Sequence, residues 1–134
     1  MSSPESLAEA VRTTLTATQG GFATQVGGKL YEFEAPQNAV PPYMVYQVVS
    51  FRPERHFGKT TWHAELHMDL WAQRSGGSRT PGELEELLIS ELEQTAMTVS
   101  GLDRGLVLIT NRYREPDEDS IRVSVDAEVI GTAS

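Results

Sequence analysis

The sequence contains no cysteine among its 134 residues. This absence excludes a disulfide framework, a thiolate zinc site and a cysteine nucleophile, because each of these needs a thiol. No run approaches the roughly 18 apolar residues that a membrane-spanning helix needs. The first residues, MSSPESLAEAVRTTL, show no basic segment followed by an apolar one, so no signal peptide is predicted. We therefore expect a soluble, cytoplasmic product made of a single domain, residues 1–134, with a core of its own.

Basic charge is scarce: 11 Lys and Arg stand against 19 Asp and Glu, for a formal net charge of −8. Residues 1–82 carry seven acidic and seven basic side chains, whereas residues 83–134 carry twelve acidic and four basic ones. A protein that binds nucleic acid directly normally shows a basic stripe. Direct nucleic-acid binding is therefore disfavoured, and the uneven charge indicates a way to orient association between copies.

Two segments have the apolar spacing of helices. Residues 4–18 begin with Pro4 in the first helical position and Ser3 as the N-cap candidate. Residues 80–96 begin with Thr80 and Glu83 at the spacing of a capping box. Between them, the glycine pairs of residues 19–28 predict a loop.

Alternating or β-branched segments predict five strands, at residues 29–33, 43–51, 60–73, 105–115 and 120–131. Residues 52–59, RPERHFGK, are interpreted as a turn or flap between the second and third strands. The order of elements predicts an α+β fold: a largely antiparallel β-sheet of about four to five strands flanked by two α-helices.

The third strand, TTWHAELHMDLWAQ, places His63, Glu65, His67 and Asp69 on alternate positions and therefore raises the question of a metal site. Residues two apart in a strand are separated by about 6.6–6.8 Å, and residues four apart by roughly twice that. A metal ion holds its nitrogen ligands at about 2 Å. The two histidines are thus too far apart to share one ion, and the pattern is that of a polar face opposite an apolar one.

Other chemical motifs are weaker. The glycine-rich loop lacks the Lys and Ser/Thr of a phosphate-binding loop, the zinc-protease motif fails at Ala64, and there is no Gly-x-Ser-x-Gly elbow. The segment EPDED, residues 115–119, is interpreted as a solvated acidic turn. We predict no catalytic residue, no cofactor and no metal ligand.

Two segments carry a family resemblance: APQNAVPPYMVYQ, residues 35–47, and HMDLWAQ, residues 67–73. Together with the order of helices and strands over nearly the whole chain, they resemble the tail-completion, or tail-terminator, proteins of long-tailed bacteriophages, prophages and gene-transfer particles. One departure is the end of the chain, DAEVIGTAS, which lacks the aromatic residue that often closes the family's last strand.

The resemblance implies a structural virion protein without enzymatic activity. Such proteins form a ring, usually hexameric, that caps the tail tube, ends its polymerisation and provides the surface for head–tail joining. The implied partners are further copies of the chain, the tail tube protein and head–tail connector proteins. DNA only passes through the lumen, no membrane is involved, and assembly takes place in the host bacterial cytoplasm.

Three alternatives stay open. One is a head–tail connector, or neck, protein of the same kind of particle. Another is a metal-dependent, small-molecule-binding enzyme that uses the strand from His63 to Asp69. The last is an interaction domain that stays monomeric.

A ring needs head-to-tail contacts between two different patches of the same chain. The subunit-interface candidates are the basic flap and the polar strand face: Arg52, Arg55, His56, Lys59, His63, Glu65 and His67. The candidates for an acidic lumen or interface are Glu85, Glu86, Asp117, Glu118 and Asp119. Because histidine titrates near neutral pH, we also expect assembly to respond to mildly acid pH.

Overall fold

The computed structural model describes residues 4–17, 21–73, 80–94, 105–116 and 119–132. The elements in chain order are α1 (Pro4–Thr16), α2 (Phe22–Gln25), β1 (Leu30–Glu32), β2 (Tyr43–His56), β3 (Lys59–Gln73), α3 (Pro81–Gln94), β4 (Gly105–Pro116) and β5 (Ser120–Thr132). Both predicted helices and all five predicted strands are present. The N-cap candidate Ser3 lies outside the described residues.

The strands form a single sheet in the order β1-β2-β3-β5-β4. Three of its four pairings are antiparallel, and β1 alone runs parallel to its neighbour β2. The sheet is therefore mixed rather than purely antiparallel. The expected α+β fold with a largely antiparallel sheet is otherwise confirmed.

Helix α2 corrects the prediction of an uninterrupted loop over residues 19–28, and it makes three helices in the described chain instead of two. The buried ring of Phe22 belongs to the core, and its backbone N–H donates to Glu91 Oε2 of α3 at 2.6 Å. A Cβ at Gly21 would lie 2.8 Å from the same carboxylate oxygen. The first N–H of this helix is thus satisfied by a side chain 69 residues away, which local sequence does not show.

The helices cover one face of the sheet. Thr80 Oγ1 accepts from Glu83 N–H at 3.1 Å and Thr80 N–H donates to Glu83 Oε1 at 3.2 Å, so the predicted capping box starts α3. Apolar side chains of all three helices join alternate residues of the strands in one core; its strand residues include Met44, Leu66, Met68, Leu70, Val123, Val125 and Val129. The period of two along β3 therefore sets which side chains meet the helices.

The opposite side of the sheet, called here the open face, carries the other half of the alternation. On β3 it presents His63, Glu65, His67 and Asp69, and on β5 it presents Ser124, Asp126 and Glu128. The predicted polar strand face is thus present, and β5 supplies a second polar row beside it.

Residues 52–59 contain the predicted turn between the second and third strands, but it is shorter than expected and closes a hairpin. Strand β2 continues to His56 and β3 begins at Lys59, so the turn consists of Phe57 and Gly58 alone. Both turn residues have positive φ, 45° and 82°, as in a type I′ turn, whose twist matches that of paired strands. Pro53 is tolerated inside β2 because β1 pairs only with residues 44–46, which leaves β2 an edge strand at Pro53 in the described chain.

Candidate assembly surface on the open face of the sheet

Two β-bulges flank the centre of the open face. The register shifts between Val48 and Ser50 in β2 and between Ile109 and Asn111 in β4. The extra residue is Val49 in β2 and Thr110 in β4, where Thr110 Oγ1 donates to Asp126 O at 3.1 Å. A shallow depression lies between the bulges over β3 and β5. Its polar and apolar lining includes Val49, Arg52, Glu65, His67, Asp126 and Glu128.

His67 is held between two carboxylates at this centre. Its Nδ1 lies 2.5 Å from Asp126 Oδ1, and its Nε2 lies 3.1 Å from Asp69 Oδ2. Ser124 Oγ donates to the other oxygen of Asp69 at 2.6 Å. Burial opposes the charged imidazolium, but the hydrogen bond to Asp126 and the charges of Asp69 and Asp126 outweigh it and raise the pKa of His67. When it is protonated, the ring donates from both nitrogens and joins β3 to β5.

His63 makes a comparable link across three strands. Its Nδ1 lies 3.1 Å from Glu128 Oε1 on β5, and its Nε2 lies 2.8 Å from Glu54 Oε2 on β2. Both histidines therefore use both ring nitrogens on carboxylates. In the described part of the chain, no group of three or more His, Asp or Glu side chains is arranged to hold a metal ion. The arrangement fits cross-strand hydrogen bonding and gives the metal-enzyme alternative no support.

Glu65 stands apart from this network. It is exposed, and it lies directly opposite Glu128 in the register of β3 and β5. Directly opposed like charges destabilise a sheet unless a cation lies between them. Glu128 has His63 as its partner, whereas Glu65 has no ion-pair partner among the described residues. Its carboxylate is available to a cation from outside the chain.

The basic residues predicted for the subunit interface lie at two different places in the structure. Arg52 lies opposite His63 and lines the depression. Arg55 and Lys59 are exposed next to the turn, and neither forms an ion pair in the described chain. His56 is the last residue of β2, and its side chain lies outside the described part. We call Arg55 to Lys59 the arm tip.

The acidic residues predicted for a lumen or interface differ in their exposure. Glu85 is only 4% exposed, and it accepts from Arg112 Nε at 2.6 Å and from Arg114 Nη2 at 2.9 Å. Its charge joins α3 to β4 and is not presented at the surface. Glu86 is exposed and also pairs with Arg112, at 2.6 Å. Asp119 is exposed, whereas Asp117 and Glu118 lie outside the described residues.

Sequence reasoning missed several residues that build this surface. Asp126 and Glu128 were visible as polar residues alternating with valines, but the register that brings them to the histidines was not. Val49 and Thr110 gave no local sign of a bulge. Phe57 stands in the sequence as an aromatic residue beside a glycine and among charged residues, which is unusual for a solvated turn.

A polar sheet face, a hairpin that extends beyond it and intrachain carboxylate partners for His63 and His67 favour a structural α+β protein. The model of the family described as tail completion protein gp17 matches residues 9–131. The chain belongs to this family, and its role is that of a structural component of a phage-like virion tail. The resemblance predicted from residues 35–47 and 67–73 is thereby confirmed.

The fold is also found in a solved structure titled "Virion of native gene transfer agent (GTA) particle". One chain of that particle is similar to this chain with a TM-score of 0.73 and 13% sequence identity, over 92% of each chain. This likeness concerns the fold. No curated protein sequence matches the chain. Among the described residues, no helix is long and apolar enough to cross a membrane.

Proposed function

We propose that the protein is a tail terminator: copies assemble into a ring, usually hexameric in such proteins, that caps the tail tube, ends its polymerisation and offers a surface for head–tail joining. The observation that carries the proposal is the family match over residues 9–131. The ring closes the growing end of the tube, so tube subunits cannot add further. No catalytic step is part of this function.

The distribution of charge supports a ring over a symmetric dimer. A ring is built from head-to-tail contacts between two different patches on each copy. This chain has one patch with exposed cations, Arg55 and Lys59, and another with an exposed carboxylate, Glu65, and none of the three has an ion-pair partner in the described chain. Two complementary patches at different places on one chain favour heterologous association.

The lumen is the second part of the proposal. DNA carries about one negative charge per 1.7 Å of helix axis, so an acidic wall repels it and lets it slide. Glu85 is excluded from this role because it is buried, whereas the exposed Glu86, Glu93 and Asp119 remain. Particles carrying the neutral variants Glu86→Gln, Glu93→Gln and Asp119→Asn together should eject DNA more slowly. Unchanged ejection kinetics would count against an acidic lumen.

The test of the capping function is tube growth. Tail tube protein from the same particle is polymerised with and without this protein, and tube lengths are measured by electron microscopy. We expect elongation to stop when the protein reaches a few copies per tube end, far below the amount of tube subunits. An unchanged length distribution would contradict a terminator. Binding to isolated head–tail connectors without any effect on tubes would instead favour a connector role.

A further inference from the structure

The most exposed aromatic side chain of the described chain lies at the end of the β2–β3 hairpin. Phe57 has a relative exposure of 107% and a φ of 45°, in the left-handed region that favours glycine or asparagine. A turn residue chosen for stability alone would be Asn before Gly58. Phenylalanine at this position serves neither the turn nor the core of its own chain, which indicates a contact outside it.

The cations beside Phe57 are likewise available for a contact outside their own chain. Arg55 precedes the ring by two residues and Lys59 follows it by two, and both are exposed. The type I′ turn and the pairing of Arg55 with Thr60 hold the arm tip in a fixed shape. The arm tip therefore presents an apolar ring between two positive charges on a backbone that has little entropy to lose on binding.

The depression on the open face is complementary to this shape. Glu65 and Glu128 face each other across β3 and β5, and Arg52 lines the same depression, but Glu65 has no ion-pair partner among the described residues. Exposed apolar side chains border the two acids: Val49 at 59% on the β2 side and Leu108 at 52% on β4, directly opposite Glu128. An incoming cation relieves the opposed carboxylates, and an incoming aromatic side chain covers Val49 on one side of them.

We propose that the arm tip of one copy docks into the depression of the next copy, with Phe57 against Val49 and with Arg55 and Lys59 near Glu65 and Glu128. This rests on the proposed ring and names the contact that builds it. The occupant is a second copy because the same chain carries cations (Arg55 and Lys59) and a carboxylate (Glu65) that have no ion-pair partner within its described residues. The contact is heterologous, so it continues from copy to copy until the ring closes.

The first test removes the aromatic ring of Phe57 and preserves the turn. Phe57→Asn creates Asn-Gly, the sequence most favourable for a type I′ turn, so the hairpin should remain folded with an unchanged or higher Tm. Full burial of a Phe side chain corresponds to at least about a tenfold change in affinity, so we expect the Kd between copies to rise tenfold or more. The measurement is sedimentation velocity over a concentration series.

The matched control is Phe33→Asn. Phe33 is also an exposed phenylalanine, at 66%, with a positive φ of 72°, but it lies after β1, away from the arm tip. Self-association of this variant should equal that of the wild type. Equal weakening by both substitutions would overturn the docking, since it would show a general effect of surface apolarity.

The second test exchanges the charges. The arm variant Arg55→Glu/Lys59→Glu and the depression variant Glu65→Lys should each lose oligomers when alone. In an equimolar mixture each arm again meets an opposite charge, so oligomers of alternating copies should return. Two variants that remain oligomeric alone, or a mixture that remains monomeric, would overturn the docking.

The wild type in the same series separates the two proposals. A wild type that stays monomeric at every concentration, both alone and together with tail tubes, would overturn both the ring and the docking. An oligomeric wild type whose mass is unaffected by Phe57→Asn would overturn the docking alone. A Phe57→Asn oligomer that no longer caps tubes would also overturn it, and would assign the arm tip to the tube protein.

Discussion

The two faces of the sheet are made by the same strands but differ in role: one packs against the helices, and the other carries polar side chains. On the covered face, alternate residues of β3 and β5 are almost fully buried against the helices. On the open face, the residues between them form a carboxylate–histidine network that leaves Glu65 exposed. The comparison shows that a period of two lets one strand specify both a core and a contact surface.

The acidic groups of the two faces differ in the same way. On the covered side, Glu85 is buried, and its two carboxylate oxygens accept hydrogen bonds from Arg112 and Arg114. On the open face, Glu65 and Glu128 oppose each other at the surface. Charge is used inside the chain in the first case and is left available to another chain in the second.

The largest expected loss of stability distinguishes the two faces by truncating one leucine on each. Leu66→Ala on the covered face leaves a cavity and should lower the free energy of unfolding by about 3 kcal/mol. Leu108→Ala on the open face, where the residue is 52% exposed, should change it by less than about 0.5 kcal/mol. Urea unfolding measures both, and similar losses would contradict the distinction between the faces.

The next largest effect tests the buried acid. Glu85→Gln leaves Arg112 and Arg114 without their shared carboxylate and should cost about 2 kcal/mol, because charged hydrogen bonds are lost but the arginines can reach water. The matched variant Glu86→Gln affects an exposed pair and should cost less than about 1 kcal/mol. If Glu86→Gln proved the more damaging in urea unfolding, the assignment of roles would be wrong.

A smaller, pH-dependent effect is expected at His67, which faces Asp69 on its own strand, Asp126 on β5 and the uncharged Gln47 on β2. Because its pKa is raised by folding, its stabilisation is fully present below the unfolded value of about 6.5 and is lost as pH rises through the higher folded value. His67→Asn should therefore cost about 1.5 kcal/mol near pH 5.5 and less near pH 9.

Unfolding in urea at several pH values gives this comparison, with Leu108→Ala as the control whose effect should not depend on pH. A cost of His67→Asn that grows with pH would contradict the charged histidine. The direction of the pKa shift also sharpens the earlier expectation for mildly acid pH. Because folding raises the pKa of His67, its change in charge falls above about pH 6.5 and not below it.

The smallest effect concerns the turn. Gly58→Ala meets no atom within 4 Å, so its cost is conformational, from a φ of 82°, and should be about 1 kcal/mol. Phe57→Asn at the neighbouring position should cost nothing. Thermal unfolding of the two variants would contradict the type I′ assignment if their order were reversed.

How much the sequence predicts depends on whether the cause is local. The alternation from Trp62 to Ala72 predicts β3, and the spacing of Thr80 and Glu83 predicts the start of α3, because both signals lie within one element. Helix α2 is missed because its cap comes from Glu91, far along the chain. The depression is missed because it depends on strand register and on two bulges.

The same reasoning explains the candidate residues. The polar face of β3 follows from its period, but Asp126 beside His67 requires knowledge of which strand is its neighbour. Glu85 was grouped with surface acids because a helix pattern does not show which arginines lie opposite it. Phe57 becomes notable only when the turn proves to be two residues long and the ring fully exposed.

The most direct test of the account is the native mass of the protein, measured alone and with the tail tube protein. The account predicts a closed ring, of six copies if it follows the usual pattern of such proteins, that binds one end of a tube. A protein that remains monomeric alone and together with tubes would contradict it.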